Sequence, residues 1–151
     1  MQIRQPILYG AVLFLVFIVV LVAIGGGLFN QSASWYVQWQ HQTFYSLCHQ
    51  IADRSFWING QPMAVCSRCM GIYSGFALGW ALLPIMSLIN FNGVASVKKI
   101  AVVVLLFNFI DIAGNFFGLW QNTLLSRAAL GGILGSSAAL IFIGDFFYHK
   151  Q

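Results

Sequence analysis

Apolar residues in this chain come in blocks rather than in stripes. Residues 7–28 form a run of 22 positions without a charge. A helix of that length rises about 33 Å, enough to cross a hydrocarbon core. Comparable blocks follow at about 68–89, 100–120 and 127–147. The pattern predicts an all-α integral membrane protein with four transmembrane helices, folded as a single membrane domain over residues 1–151. A secretory signal peptide is the competing reading of the first block. Arg4 would be its charged start, and Ser32, Ala33 and Ser34 its small cleavage-site residues. Signal cores, however, run only about 7 to 15 residues. Gly25, Gly26 and Gly27 predict the end of the first helix, because helix propensity falls there.

The stretches between the blocks differ in character. Residues 33–51 mix Trp35, Tyr36, Trp39, Phe44 and Tyr45 with Gln and His, a composition suited to the headgroup level. Phe44, Leu47, Cys48 and Ile51 fall on one helical face, with His41 on the same face, so the spacing predicts an amphipathic helix lying in the interface. Asn59-Gly60 and Pro62 then predict turns. In the second span Gly71, Gly75 and Gly79 sit four apart, and in the fourth Gly131, Gly135 and Ala139 do the same. Small residues at that spacing let membrane helices approach closely. Pro84 is placed to kink the second span. Lys98 and Lys99 mark a polar connection over 90–99. The third span carries Asn108, Asp111 and Asn115 on one face, with Gly114 and Gly118 close to that stripe.

Composition sharpens this picture. The chain is 60% hydrophobic and 7% charged, with no Glu, far below the roughly 25% charge of soluble domains. The net charge of +4 is spread over single basic residues, which excludes a nucleic-acid stripe and fits interface anchors and orientation signals. With both termini cytoplasmic, Arg4, Lys98, Lys99 and Lys150 lie inside, and Arg54, Arg68 and Arg127 lie outside. The loop over 48–69 is then on the outer side.

That loop gathers the reactive side chains. It holds all three cysteines, with His49, Arg54 and Arg68. Cys66 and Cys69 form a C-x-x-C at the start of the second span, where i and i+3 point the same way. Two sulfurs so placed serve a tetrahedral metal. They also serve a redox pair, because a helix N-terminus and Arg68 both favour thiolate. Burial as small hydrophobes is the plain alternative. Cys48 with His49, or with His41, completes a three-sulfur, one-nitrogen set, although adjacent side chains diverge and rarely share one ion. A hydrogen-bonded interfacial histidine is the plain reading of either. Asp111 is an ionisable group within a span, which costs about 2.5 to 3.5 kcal/mol on insertion scales and so demands a partner, either Arg127 or a loop arginine. A structural ion pair between helices is its plain alternative. Asp145, near the end of its span, reads as an interfacial acid.

The strings Cys48-His49-Gln50, Arg54-Ser55-Phe56 and Cys66 through Gly75, with Arg68, Cys69, Gly71 and Tyr73, resemble the signature of the uncharacterised bacterial membrane-protein family DUF 2085. Asp111, Arg127, Gly131 and Gly135 resemble its second half, although Asp111-Ile112-Ala113-Gly114 departs from the Asp-Gly expected there. The resemblance covers roughly residues 45–140. It implies a small multi-pass protein, placed in the bacterial inner (cytoplasmic) membrane, and carries no established activity.

Three functions fit these residues. In the first, Cys48, His49, Cys66 and Cys69 bind a thiophilic metal such as zinc at the outer face, with His41, Arg54, Arg68, Asp111 and Arg127 in support. In the second, a quinone-linked thiol–disulfide oxidoreductase passes electrons from substrate thiols through Cys48 to the Cys66–Cys69 pair and on to a quinone near Arg68. Enzymes of that plan generally use two cysteine pairs, whereas this chain has three cysteines. In the third, the chain is a non-enzymatic assembly factor that binds itself or a partner membrane protein through its small-residue helix faces.

Overall fold

The computed structural model describes residues 2–3, 5–25, 27–28, 34, 37–88 and 94–148. Arg4, Gly26, Ser32, Ala33, Trp35, Tyr36 and Lys150, named above, lie outside the described residues. Helix α1 spans Pro6–Ile24 and opens on proline, whose missing N–H costs nothing in a first turn. It ends at Gly25, which takes a left-handed φ of 84°. A Cβ there would lie 2.9 Å from the Ala64 nitrogen, and one on Gly27 would collide with the Ile58 carbonyl. The glycines therefore do more than stop the helix. They let the cysteine loop sit directly on its end.

The loop is more folded than its sequence suggests. Helix α2 covers only Trp39–Phe44. The expected continuation to residue 51 does not form. Leu47 and Cys48 both donate to the Phe44 carbonyl in a closing turn, and Gln50 adopts a left-handed φ of 50°. Phe44 and Cys48 are buried, but Leu47 and Ile51, expected on the same face, are exposed. A 3₁₀ turn, Ala52–Arg54, leads to a hairpin of β2 (Trp57–Ile58) and β3 (Gln61–Pro62). Asn59 and Gly60 form its turn, both at positive φ, as a two-residue hairpin requires.

Helix α3 spans Ser67–Leu88, α4 Val94–Phe116, α5 Leu124–Leu140 and α6 Ile143–Phe146. The block expected to run unbroken to residue 147 is thus interrupted by a turn at 141–142. α4 begins and ends earlier than its hydrophobic block. Gly118, at φ 72°, donates to the Asn115 carbonyl while Leu119 donates to that of Gly114, which is the Schellman closure. Thr123 caps α5 by accepting from the Ser126 N–H at 3.1 Å.

The long helices pack in the order α1, α3, α5, α4. The seam between α3 and α5 is the closest, and glycine makes it so. A Cβ on Gly71 or Gly75 would collide with the carbonyl of Ala128 or Gly132, and one on Gly131 or Gly135 with that of Arg68 or Ile72. The two small-residue faces, read from sequence as surfaces for a partner, meet each other inside the chain. Away from the loop, β1 (Gln2–Ile3) pairs antiparallel with β4 (Phe147–Tyr148), so the two ends of the described chain lie together. Pro6–Ile24, Ser67–Ser87 and Leu124–Phe146 are long and apolar enough to cross a membrane. Large apolar side chains face outward, Ile7 and Phe14 on α1 and Phe107 and Phe109 on α4 among them, a surface suited to lipid.

Candidate functional site

The three cysteines come from three local structures. Cys48 follows the turn after α2, Cys66 directly precedes α3, and Cys69 lies in its first turn. Their sulfurs lie within 4.8 Å of one another, and all three are free. Cys48 and Cys66 are buried, in a small core with Ala23, Phe44, Ala64 and Val65. The Cys66 N–H donates to the Cys48 sulfur at 3.2 Å. The thiols of Cys66 and then Cys69 donate to it as well and hold the Cys48 thiol far below its usual range. The hydrogen bond to Cys48 in turn pushes Cys66 up. Three sulfurs this close, beside backbone donors at a helix start, form a compact soft-ligand set.

Neither histidine belongs to that set. His49 is exposed and turned aside, its Nδ1 accepting from the Ile51 N–H at 3.2 Å. His41 is buried at 2% exposure, and burial holds it below the ordinary histidine range. It contributes through its backbone, since its carbonyl accepts from the Gln50 side chain.

Charge collects one step away. Arg68 pairs with Asp111 through Nη2 and Oδ2. Of the two partners the sequence allowed for Asp111, the structure brings it to the loop arginine. Asn122 donates to the same carboxylate oxygen at 2.7 Å. Arg127 meets neutral Asn115, at 3.4 Å. Asn108 donates to the Leu130 carbonyl at 3.3 Å, so the polar stripe of α4 faces its neighbours as its spacing predicts. A cavity of about 440 Å³ opens among these groups. His49, Arg54, Arg68 and Arg127 line it together with Cys66 and Cys69, and Ile72, Ile112 and Phe116 form its apolar wall.

The roles of two residues, Gln50 and Asn122, are not legible in the sequence. Gln50 donates through Nε2 to the carbonyls of His41 at 2.6 Å and Ala64 at 2.8 Å, tying α2 to the approach to α3. Its place beside Cys48-His49 marks it, but its left-handed backbone leaves no trace in sequence. Asn122 falls in a stretch that reads as a plain connection. Its signal is an amide between two helices that both carry site residues.

An uncharacterised protein of Methanocaldococcus jannaschii, MJ1492, is 33% identical over 104 residues, covering 68% of this chain and 66% of its own length. The chain therefore spans just under two thirds of that relative. No solved structure matches. The model of the family described as Predicted membrane protein (DUF2085) matches residues 48–141, from the first cysteine through α5, and the chain belongs to that family.

Proposed function

We propose that this chain is a four-span membrane protein whose Cys48, Cys66 and Cys69 thiolates hold a thiophilic metal ion, zinc foremost, at the mouth of its helix bundle. The reading rests on one observation, three free sulfurs within 4.8 Å of one another. Zinc–sulfur bonds of about 2.3 Å at tetrahedral angles set sulfurs about 3.8 Å apart, so small side-chain rotations close the set. In this reading the fourth position is open to the cavity that Cys66 and Cys69 line. His49 fills it only by giving up the Ile51 hydrogen bond, because a neutral imidazole that accepts at Nδ1 carries its proton on Nε2. Three cysteines with an open position, the arrangement of a working rather than a purely structural site, therefore fit better than a closed four-ligand set.

α4 supplies the fourth span in this reading. Its Lys98 and Lys99 are exposed near its start, at the end where β1 and β4 meet, as an even number of crossings with cytoplasmic termini requires. The cysteine loop then faces outward from a bacterial inner membrane.

Metal content of the purified full-length protein, by mass spectrometry, tests the site. One zinc per chain is expected, lost in Cys48→Ser and Cys69→Ser, with all three thiols protected until a chelator is added. A metal-free protein in which two thiols appear only after reduction sinks the metal reading and supports thiol–disulfide exchange by the same sulfurs.

A further inference from the structure

The cavity beside the sulfurs has a charge imbalance that the metal site leaves in place. Arg54, Arg68 and Arg127 all line it. Asp111 is the one carboxylate in an ion pair among the described residues, and it is committed to Arg68. Three guanidinium groups less one carboxylate leave two positive charges. Zinc held by three thiolates would carry one negative charge and still leave one positive. Among the described residues Arg127 is in no ion pair and donates one side-chain hydrogen bond, to the oxygen of Asn115 at 3.4 Å. Arg54 has no ion-pair partner among the described residues. The Nε of Arg68 is buried and has no hydrogen-bond partner among the described residues. Guanidinium groups that converge on a half-enclosed space call for an anion that can accept from several forks at once.

The remainder of the lining is largely apolar. Ile72, Ile112 and Phe116 line the same space, and the turn beyond it exposes Phe117 at 74% and Leu119 at 72%. A ligand that suits this mixed lining carries an oxyanion for the arginines and tolerates hydrocarbon beside it. A phosphate group matches the first requirement, since its oxygens accept bidentate bonds from arginine.

We infer that the cavity between the cysteine loop, α3, α4 and α5 is a phosphate-binding site, in which Arg54 and Arg127 hold the phosphate and Arg68, fixed by Asp111 and Asn122, lines its floor. The phosphate comes free or as a lipid headgroup, and the two sources share this chemistry. The site rests on the arginines and stands whether or not the sulfurs hold a metal.

Binding of inorganic phosphate and of phosphatidic acid to the delipidated full-length protein tests the inference, the first by titration calorimetry and the second by native mass spectrometry. Phosphatidylcholine serves as the zwitterionic control. Arg127→Gln and Arg54→Gln are each expected to weaken phosphate-group binding at least about tenfold, while Lys98→Gln, at the other end of α4, leaves it unchanged. Arg127→Lys should recover part of the loss. Binding of both probes assigns a general phosphate site, and binding of phosphatidic acid alone assigns the headgroup. Absence of binding by either, equal binding of phosphatidylcholine, or indifference to both arginine variants overturns the inference. Zinc content measured on the same samples keeps the two sites apart. Arg54 is exposed in the loop, so its variant remains informative if Arg127→Gln fails to fold.

Discussion

The two ends of the helix row handle polar groups in opposite ways. Away from the loop, Tyr9, Phe76, Trp80, Phe146 and Phe147 interlock, with Tyr9 stacked on Trp80 at 5.8 Å between ring centroids. Their two polar handles satisfy each other's backbone. Tyr9 Oη donates to the Trp80 carbonyl at 2.9 Å, and Trp80 Nε1 donates to that of Tyr9 at 3.1 Å. Nothing in that pair is left for a ligand. At the loop end the sulfurs form no disulfide and two arginines lack a carboxylate partner among the described residues. One end is closed chemistry and the other is open. The matched handles stabilise one end, and the unmatched groups make up the proposed site at the other.

The largest effect should come from the seam that joins the two ends. Gly75→Leu forces a side chain into the Gly132 carbonyl and separates α3 from α5. The loss should exceed about 3 kcal/mol, an overpacking cost compounded by backbone displacement. Yield and thermal melting in detergent check it, and a protein that melts like wild type would show that the seam does not carry the fold.

A smaller effect is expected at the open end. Asp111→Asn removes the carboxylate from Arg68, whose side chain is 20% exposed. Breaking a buried pair costs about 3 to 5 kcal/mol, and partial exposure brings this to about 2. The distinctive readout is maleimide labelling of Cys69 in chelator-treated protein, which should quicken as Arg68 is released. Unchanged labelling would reduce Asp111 to a helix-packing role.

The smallest effect belongs to the closed end. Tyr9→Phe removes one hydrogen bond and keeps the ring, so about 1 kcal/mol should be lost. Thiol reactivity and zinc content should stay as in wild type. A change in either would collapse the distinction between the ends.

Much of this was legible before any coordinates. A 22-residue uncharged run has few physical uses, and α1 occupies most of it. The spacing of Cys66 and Cys69 and the isolation of Asp111 within a span mark a site, because each is costly without a partner. Asn59-Gly60 marked its turn, since few other residue pairs tolerate both positive φ values, and the structure adds the strands that flank it. What sequence withheld was relational. That the Gly71 and Gly131 faces meet each other, and that Arg68 rather than Arg127 takes Asp111, depends on the helix order α1, α3, α5, α4, which no local pattern encodes. The overextended helix after Trp39 failed for a different reason. Four apolar positions over eight residues are a short period, and Gln50 exchanged helical geometry for two long-range hydrogen bonds.

Those two bonds also explain how the loop dispenses with a covalent cross-link. One amide nitrogen of Gln50 bridges the carbonyls of residues 41 and 64, which are 23 positions apart (64 − 41). A disulfide closing a loop of that size would add roughly 3 kcal/mol by chain-entropy arguments, but it would consume two of the three sulfurs. The glutamine closes the ring non-covalently, and every thiol stays available for chemistry.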